Sequence, residues 1–193
     1  MSSERLKAFS DGVLAIIITI MVLELKAPHG ADFADLRAGV APTFLAYVLS
    51  FLYVAIYWNN HHHLFFAVEK VNGAVLWANI GLLFCLSLLP FASAWASDTQ
   101  FATAPVAFYG LILLASASAY ALLVVALLEA QGGETLLHRA IGGDVKGRIS
   151  ILLYVLGIAA AFWKPWVGGM FYVGVAAIWL IPDRRIEREL IDE

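Results

Sequence analysis

The residues best suited to chemistry stand at the entrance of the first apolar segment, in the stretch RLKAFSDGVLAIIITIMVLEL that begins at Arg5. Ser10 and Asp11 precede an aliphatic run that contains a single hydroxyl, Thr19. A carboxylate near hydrocarbon normally has a partner, and Arg5 and Lys7 lie one to two helical turns away. A hydroxyl inside an apolar helix either bonds the carbonyl one turn back or faces a water-filled path.

Two interpretations of Ser10 and Asp11 stay open on the residues alone. The first is a helix N-terminus at the membrane interface, where Ser10 caps backbone amides and Asp11 is stabilised by the positive end of the helix dipole. That interpretation gives no reason for Phe9 beside them. The second is a functional polar cluster at the mouth of the segment.

A second polar cluster, YWNNHHHLF, occupies residues 57–65. Neighbouring residues on a helix point about 100° apart, so His61, His62 and His63 cannot all converge on one metal ion. The only cysteine, Cys85, sits inside an apolar run. We therefore predict no metal site. Trp58, at the start of this cluster, is also typical of an aromatic residue at the membrane interface.

The elements that must position these residues are membrane helices. Hydrophobic residues make up 62% of the 193-residue chain and charged residues 14%, which indicates an all-α integral membrane protein. The net charge of -3 and the lack of a basic stripe argue against nucleic-acid binding. Six spans are predicted in one transmembrane domain. They cover residues 8–25, 42–58, 71–95, 106–128, 149–162 and 166–181.

The orientation follows from the basic residues, because cytoplasmic loops carry an excess of Lys and Arg. With six spans, both termini lie on one side of the membrane, and that side holds nine of the twelve basic residues. Both termini are therefore predicted to be cytoplasmic. The nine are Arg5, Lys7, Lys70, Arg139, Lys146, Arg148, Arg184, Arg185 and Arg188.

One face of the first span carries a stripe of four residues. On a helix, Ile16, Thr19, Ile20 and Leu23 fall within an arc of roughly 100°, and Phe9 continues the same face toward the cytoplasm. The stripe is compatible with ordinary helix packing, in which Thr19 bonds its own helix. It is also compatible with the wall of an axial pore.

A family resemblance bears on this choice. Arg5-x-x-x-Phe9-Ser10-Asp11, followed by a long aliphatic first helix, resembles the signature of the transmembrane protein 175 family of potassium channels. The cluster at 57–65 gives looser support. Six spans and about 200 residues resemble the prokaryotic form of that family, which has one six-helix unit per subunit.

The resemblance implies a homotetramer around a central pore that the first helix of each subunit lines. By position relative to the motif, it makes Ile16 the narrow constriction and Thr19 the residue associated with potassium selectivity, with Ile20 and Leu23 as further aliphatic layers. It also implies a polar network that ties the first helix to the second and third. The candidates for that network are Arg5, Phe9, Ser10, Asp11, Trp58, His61, His62, His63 and Asn79.

The expected function is a potassium-permeable cation channel with modest preference for potassium over sodium, because the sequence contains no Thr-Val-Gly-Tyr-Gly filter segment. The expected partners are membrane lipid, K+ and other monovalent cations, with no cofactor, in the plasma membrane. Histidine titrates near neutral pH, so the network predicts sensitivity to cytosolic pH. A secondary transporter is the alternative. An enzyme is disfavoured, because the sequence has neither HExxH nor GxSxG.

Overall fold

The computed structural model describes residues 3–28, 31–66, 68, 70–132 and 145–180. Every regular element within these residues is an α-helix, which confirms that the fold is all-α; six membrane helices per subunit and a homotetrameric pore lined by the first helix stay predictions. The helices are α1 (Ser3–Val22), α2 (Phe33–Phe66), α3 (Gly73–Ser87), α4 (Leu89–Asp98), α5 (Thr103–Gln131), α6 (Val145–Trp163) and α7 (Pro165–Leu180). The last residue of the sixth predicted span and the C-terminal tail, residues 181–193, lie outside the described residues.

Among the described residues, four helical stretches are long and apolar enough to cross a membrane, and they overlap the second to fifth predicted spans. The apolar helix α7 has 16 residues, and α1 carries charged residues in its first half, so that the crossing of the membrane by these two helices stays a prediction. The four stretches are Val40–Phe66, Gly73–Asp98, Thr103–Gln131 and Val145–Trp163.

The third predicted span is divided into two helices. The helix is interrupted at Leu88, whose N–H bonds the carbonyl of Cys85, three residues back, at 3.2 Å. In a regular α-helix the N–H bonds the carbonyl four residues back. Pro90 explains the break, because proline has no N–H to donate and its ring clashes with the carbonyl four residues before it. At its other end α3 begins after Asn72, whose side-chain oxygen accepts the N–H of Val75 at 3.0 Å.

The helix α2 extends beyond the predicted second span at both ends. It has 34 residues, a length of roughly 50 Å at about 1.5 Å per residue, against a hydrocarbon core of about 30 Å. The helix therefore carries the polar cluster at its C-terminal end, with His61, His62 and His63 all in helical conformation. This single continuous helix sets the directions in which the cluster's side chains point.

The helix α1 packs on α2 and α3 through one face. Its buried residues recur every three or four positions, which is the spacing of one face of a helix. This buried face contains one polar residue, Ser10, among apolar ones. The buried residues of α1 are Leu6, Ser10, Leu14, Ile17 and Met21.

The helices α5, α6 and α7 pack against one another and against α2. Glycine permits a close approach of the α6 and α7 backbones: a Cβ added to Gly168 on α7 would lie 2.7 Å from the carbonyl oxygen of Gly157 on α6. Buried tyrosines fill the space toward α2, where the Tyr53 hydroxyl donates to the Tyr172 carbonyl at 2.6 Å. This half of the molecule forms a support against which α2 is held.

Candidate functional site

A buried chain of hydrogen bonds joins three helices at the start of α1. The amide of Asn79 on α3 donates to Ser10 on α1 at 2.9 Å, and the Asn79 carbonyl oxygen lies 2.8 Å from Nε2 of His61 on α2. The Ser10 hydroxyl in turn donates to the carbonyl of Leu6 at 2.9 Å. All three side chains are at most 2% exposed. These bonds bring together three of the predicted network residues, Ser10, His61 and Asn79, one from each of the first three helices.

The protonation of His61 follows from the directions of these bonds. Because the Asn79 amide nitrogen donates to Ser10, its carbonyl oxygen faces His61, and a carbonyl oxygen only accepts hydrogen bonds. Nε2 of His61 must therefore carry a hydrogen. The imidazole also stacks on Phe65, one turn further along α2, with ring centroids 4.4 Å apart. Both contacts hold the ring in one orientation.

The other two histidines occupy different positions. His62 is exposed, and its ring centroid lies 5.8 Å from that of Trp58. His63 is half-buried, with its ring 5.8 Å from that of His62. The bonds found in the structure thus place His61, and neither of its neighbours, in contact with Asn79. Within the described ranges, no three His, Cys, Asp or Glu side chains are placed to hold a metal ion.

Asp11 is tied to α2 by a separate bond. The indole Nε1 of Trp58 donates to the Asp11 carboxylate at 2.9 Å. Both residues of this pair are exposed, whereas Ser10, His61 and Asn79 are buried. The partner found for the carboxylate is therefore an aromatic residue of another helix. The sequence had instead suggested Arg5 or Lys7, which belong to the same helix as Asp11. A hydrogen bond to a charged acceptor is stronger than one between neutral groups.

The interpretation of Ser10 as a helix cap is wrong. The helix α1 begins at Ser3, about two turns before Ser10, so Ser10 and Asp11 lie in the helix and not in its first turn. The Ser10 hydroxyl bonds a carbonyl four residues back, where a cap would accept from a backbone amide ahead of it. Adjacent residues therefore serve two contacts, Ser10 toward α3 and Asp11 toward α2.

The predicted stripe of α1 is on the surface of the subunit. Ile16 is 58% exposed, Ile20 45% and Leu23 76%, and Thr19 is exposed between them. The Thr19 hydroxyl donates to the Ile16 carbonyl at 2.9 Å, as one of the two interpretations of this residue required. None of the four is covered by the described residues of its own subunit. Ile16, Thr19 and Ile20 thus lie on a different side of α1 from its buried face, and Leu23 lies in the turn that follows the helix.

Two motif residues at the start of α1 are also exposed. Phe9 is 54% exposed and Arg5 is exposed, so neither enters the buried network. Phe9 is next to Ser10 in sequence, but its side chain is exposed. This agrees with the prediction that Phe9 lies on the same face of the helix as the stripe. The structure accordingly divides the Arg5-x-x-x-Phe9-Ser10-Asp11 motif into inward and outward positions.

The bonds of Ser10 and Asp11 hold one side of α1 against α3 and α2, and another side of the helix is left exposed by the described residues. Each hydrogen bond from His61 through Asn79 and Ser10 to the Leu6 carbonyl pairs a donor with an acceptor, which lowers the cost of burying these polar groups. The sequence reasoning missed the contributions of Leu6 and Phe65. The spacing of Phe65 from His61, four residues on one helix, was a signal for the ring contact.

Comparison with known proteins adds three findings. The sequence pattern of the family "Endosomal/lysosomal potassium channel TMEM175" matches residues 5–90. A potassium channel of Chryseobacterium sp. (strain P1-3) is 56% identical over 190 residues, which cover 98% of both chains. The crystal structure of a lysosomal potassium-selective channel TMEM175 homolog from Chamaesiphon minutus superposes with a TM-score of 0.81 at 26% identity. That match covers 94% of this chain and 97% of the other.

Proposed function

This chain belongs to the TMEM175 channel family, and on that basis we propose that it is a potassium-permeable cation channel of the plasma membrane. In this proposal four copies assemble around a central axis, and α1 of each copy lines the pore. The protein works without a cofactor, in contact with membrane lipid, and also admits other monovalent cations. The proposal is supported by the relatives' names and by the surface of α1.

The observation that carries the proposal is the exposure of one face of α1 while its opposite face is buried. Ile16, Thr19, Ile20 and Leu23 are exposed in the subunit, although three of them are aliphatic. Their face is therefore free to meet equivalent faces of other copies at a common axis. In this proposal the exposed Asp11 lies on the cytoplasmic side of Ile16 along α1.

The constriction is assigned to Ile16. An aliphatic ring offers no ligand to a dehydrated cation and sheds water when it is narrow, so it forms a barrier that opens by widening. A small rotation of α1 changes the width of the ring. The bond of Ser10 to α3 and the bond of Asp11 to α2 act as the fixed points about which such a rotation takes place.

The selectivity is assigned to Thr19. Its hydroxyl proton is committed to the Ile16 carbonyl, so the outward side of the oxygen keeps lone pairs that accept. Four such oxygens at one level would replace part of a potassium ion's hydration shell. A single ring of hydroxyls provides fewer ligands than a filter of backbone carbonyls, which is the physical reason for modest discrimination against sodium.

Potassium flux into proteoliposomes tests the constriction. Ile16→Asn places an amide in the ring, keeps it wet and raises the flux several-fold. Val22→Asn is the matched control, since it introduces the same amide at another exposed residue of α1 that lies outside the stripe. A flux that stays unchanged in Ile16→Asn, or rises equally in both variants, contradicts the assignment.

Reversal potentials under potassium and sodium gradients test the selectivity. Thr19→Val keeps the shape of the side chain but removes its oxygen, so the preference for potassium falls. The proposed role of Thr19 is wrong if the reversal potential of this variant equals that of the unchanged protein.

A further inference from the structure

A cavity of about 280 Å³ lies outside the α1 network, between α2, α5, α6 and α7. Its volume is just below the range of roughly 300–1,000 Å³ that is usual for small-molecule sites. Along α5 the lining runs from Ala117 to Leu128, a length of roughly 16 Å at about 1.5 Å per residue. The cavity is thus narrow and elongated along the helices.

The walls of the cavity offer little to a polar occupant. Of its polar lining groups, Tyr53 donates to the Tyr172 carbonyl, and Tyr120 donates to the Asn60 carbonyl at 3.3 Å. Ser150 donates to its own helix and accepts the indole N–H of Trp179 at 2.8 Å. Because these groups already bond other groups of the protein, the surface that remains for an occupant is mostly hydrocarbon.

One end of the cavity is positively charged. Arg148, in the first turns of α6, lines the cavity and is exposed. Beside it, the Lys146 ammonium lies 5.8 Å from the centroid of the Trp179 ring. Trp179 is the residue before the last one of the apolar helix α7, and tryptophan near the end of a membrane helix is typical of the boundary between headgroups and hydrocarbon. The nearest acid on the lining helix α5, Glu129, follows the last lining residue, Leu128, and points away from it by about 100°.

We propose that this cavity holds an acyl chain of an anionic phospholipid of the cytoplasmic leaflet, with the lipid phosphate bound by Arg148. The apolar, elongated interior fits a hydrocarbon chain, and the guanidinium at its headgroup end fits a phosphate by charge and by geometry. An uncharged apolar molecule would make no use of the positive charge of Arg148 at that end. The proposal concerns a site away from α1 and does not rest on ion conduction.

Native mass spectrometry of the purified protein tests the proposal. Dioleoyl phosphatidylglycerol is titrated into the detergent-solubilised protein, with dioleoyl phosphatidylcholine as the uncharged-headgroup lipid and glycerol phosphate as the headgroup without chains. The unchanged protein binds phosphatidylglycerol with preference over phosphatidylcholine and does not retain glycerol phosphate. The proposal is overturned if the protein binds both lipids equally, or if it retains glycerol phosphate as well as it retains phosphatidylglycerol.

Two kinds of variant separate the headgroup from the chain. Arg148→Gln lowers the affinity for phosphatidylglycerol about fivefold, the size expected for one basic residue at an anionic surface. Lys70→Gln is its matched control, because Lys70 is an exposed basic residue on the same predicted side of the membrane but outside the cavity lining. A loss of similar size in both variants shows general surface charge only, and this outcome refutes the site.

Ala121→Phe fills the cavity and lowers the affinity for both lipids. Ala117→Leu, one turn earlier on the same lining face, is a smaller filling that protects the test if the larger side chain prevents folding. Thermal melting identifies the variants that remain folded. Folded cavity-filling variants that bind phosphatidylglycerol as tightly as the unchanged protein place the lipid elsewhere and overturn the proposal.

Discussion

Replacement of Ser10 by alanine removes the acceptor that Asn79 uses on α1. The amide nitrogen of Asn79 then stays buried without its 2.9 Å partner, while His61 keeps its bond to the other atom of the same amide. The backbone of α1 is spared, because a serine-to-alanine change favours helix formation slightly. The perturbation therefore acts almost wholly on the bond between α1 and α3.

The expected loss follows from the burial of this bond. An unsatisfied buried donor costs about 1–3 kcal/mol in soluble proteins, whereas side-chain bonds between membrane helices average about 0.6 and reach about 1.7 kcal/mol. Ser10 and Asn79 are both fully buried, which argues for the upper part of the membrane range. We expect Ser10→Ala to lower the free energy of unfolding by about 1–1.5 kcal/mol.

The assay is reversible unfolding of the purified protein in mixed micelles, followed by circular dichroism. Ser116→Ala is a close control, since Ser116 is equally buried and donates to the carbonyl four residues back at 2.8 Å within α5. This control is expected to change stability by less than about 0.5 kcal/mol. Equal effects of the two substitutions would refute the reasoning, because they would show that the bond to Asn79 contributes nothing.

Two further substitutions test other contacts of the helices. Trp58→Phe keeps an aromatic ring but loses the N–H that donates to Asp11, so α1 rotates more easily and the open fraction in single-channel recordings rises; an unchanged open fraction contradicts this role. Gly168→Ala brings a Cβ to 2.7 Å from the Gly157 carbonyl oxygen and costs about 1–3 kcal/mol in the same unfolding assay, whereas Gly169→Ala, with nothing within 4 Å, should not destabilise. Equal stability of the two alanine variants argues against close packing of α6 on α7.

The positions of the helices were largely predictable, because the length of an apolar run is a local property of the chain. The break at Leu88 was less so. Pro90 was visible in the third span, but membrane helices often continue through proline when neighbouring groups satisfy the freed carbonyl. The start of α1 at Ser3 was also missed, because the first two turns of the helix contain charged residues and the prediction relied on the length of the apolar run.

The polar site was predictable by residue type and not by pairing. The adjacent histidines each point in a different direction on α2, and the choice of His61 depends on how α2 and α3 are rotated about their axes. In the same way, Asp11 has basic residues near it in sequence, but its bonded partner comes from α2. Such choices depend on the packing angles between helices, which the residues of any one helix do not specify.

The stripe of α1 illustrates the opposite case. The 3.6-residue period placed Ile16 and Thr19 on one face from the sequence alone, and the structure shows that this face is uncovered in the subunit. The period could not predict which face of α1 is buried. Ser10 decides that point, because its bond to Asn79 turns the opposite side of the helix outward.

The central claim is that the exposed face of α1 lines a conduction path shared by several copies of the chain. A structure of the protein in lipid nanodiscs, at a resolution that shows side chains, tests it most directly. The account predicts four Ile16 side chains around one axis, with Thr19 facing the same central space. Ile16 in contact with lipid, away from any shared axis, would contradict the account.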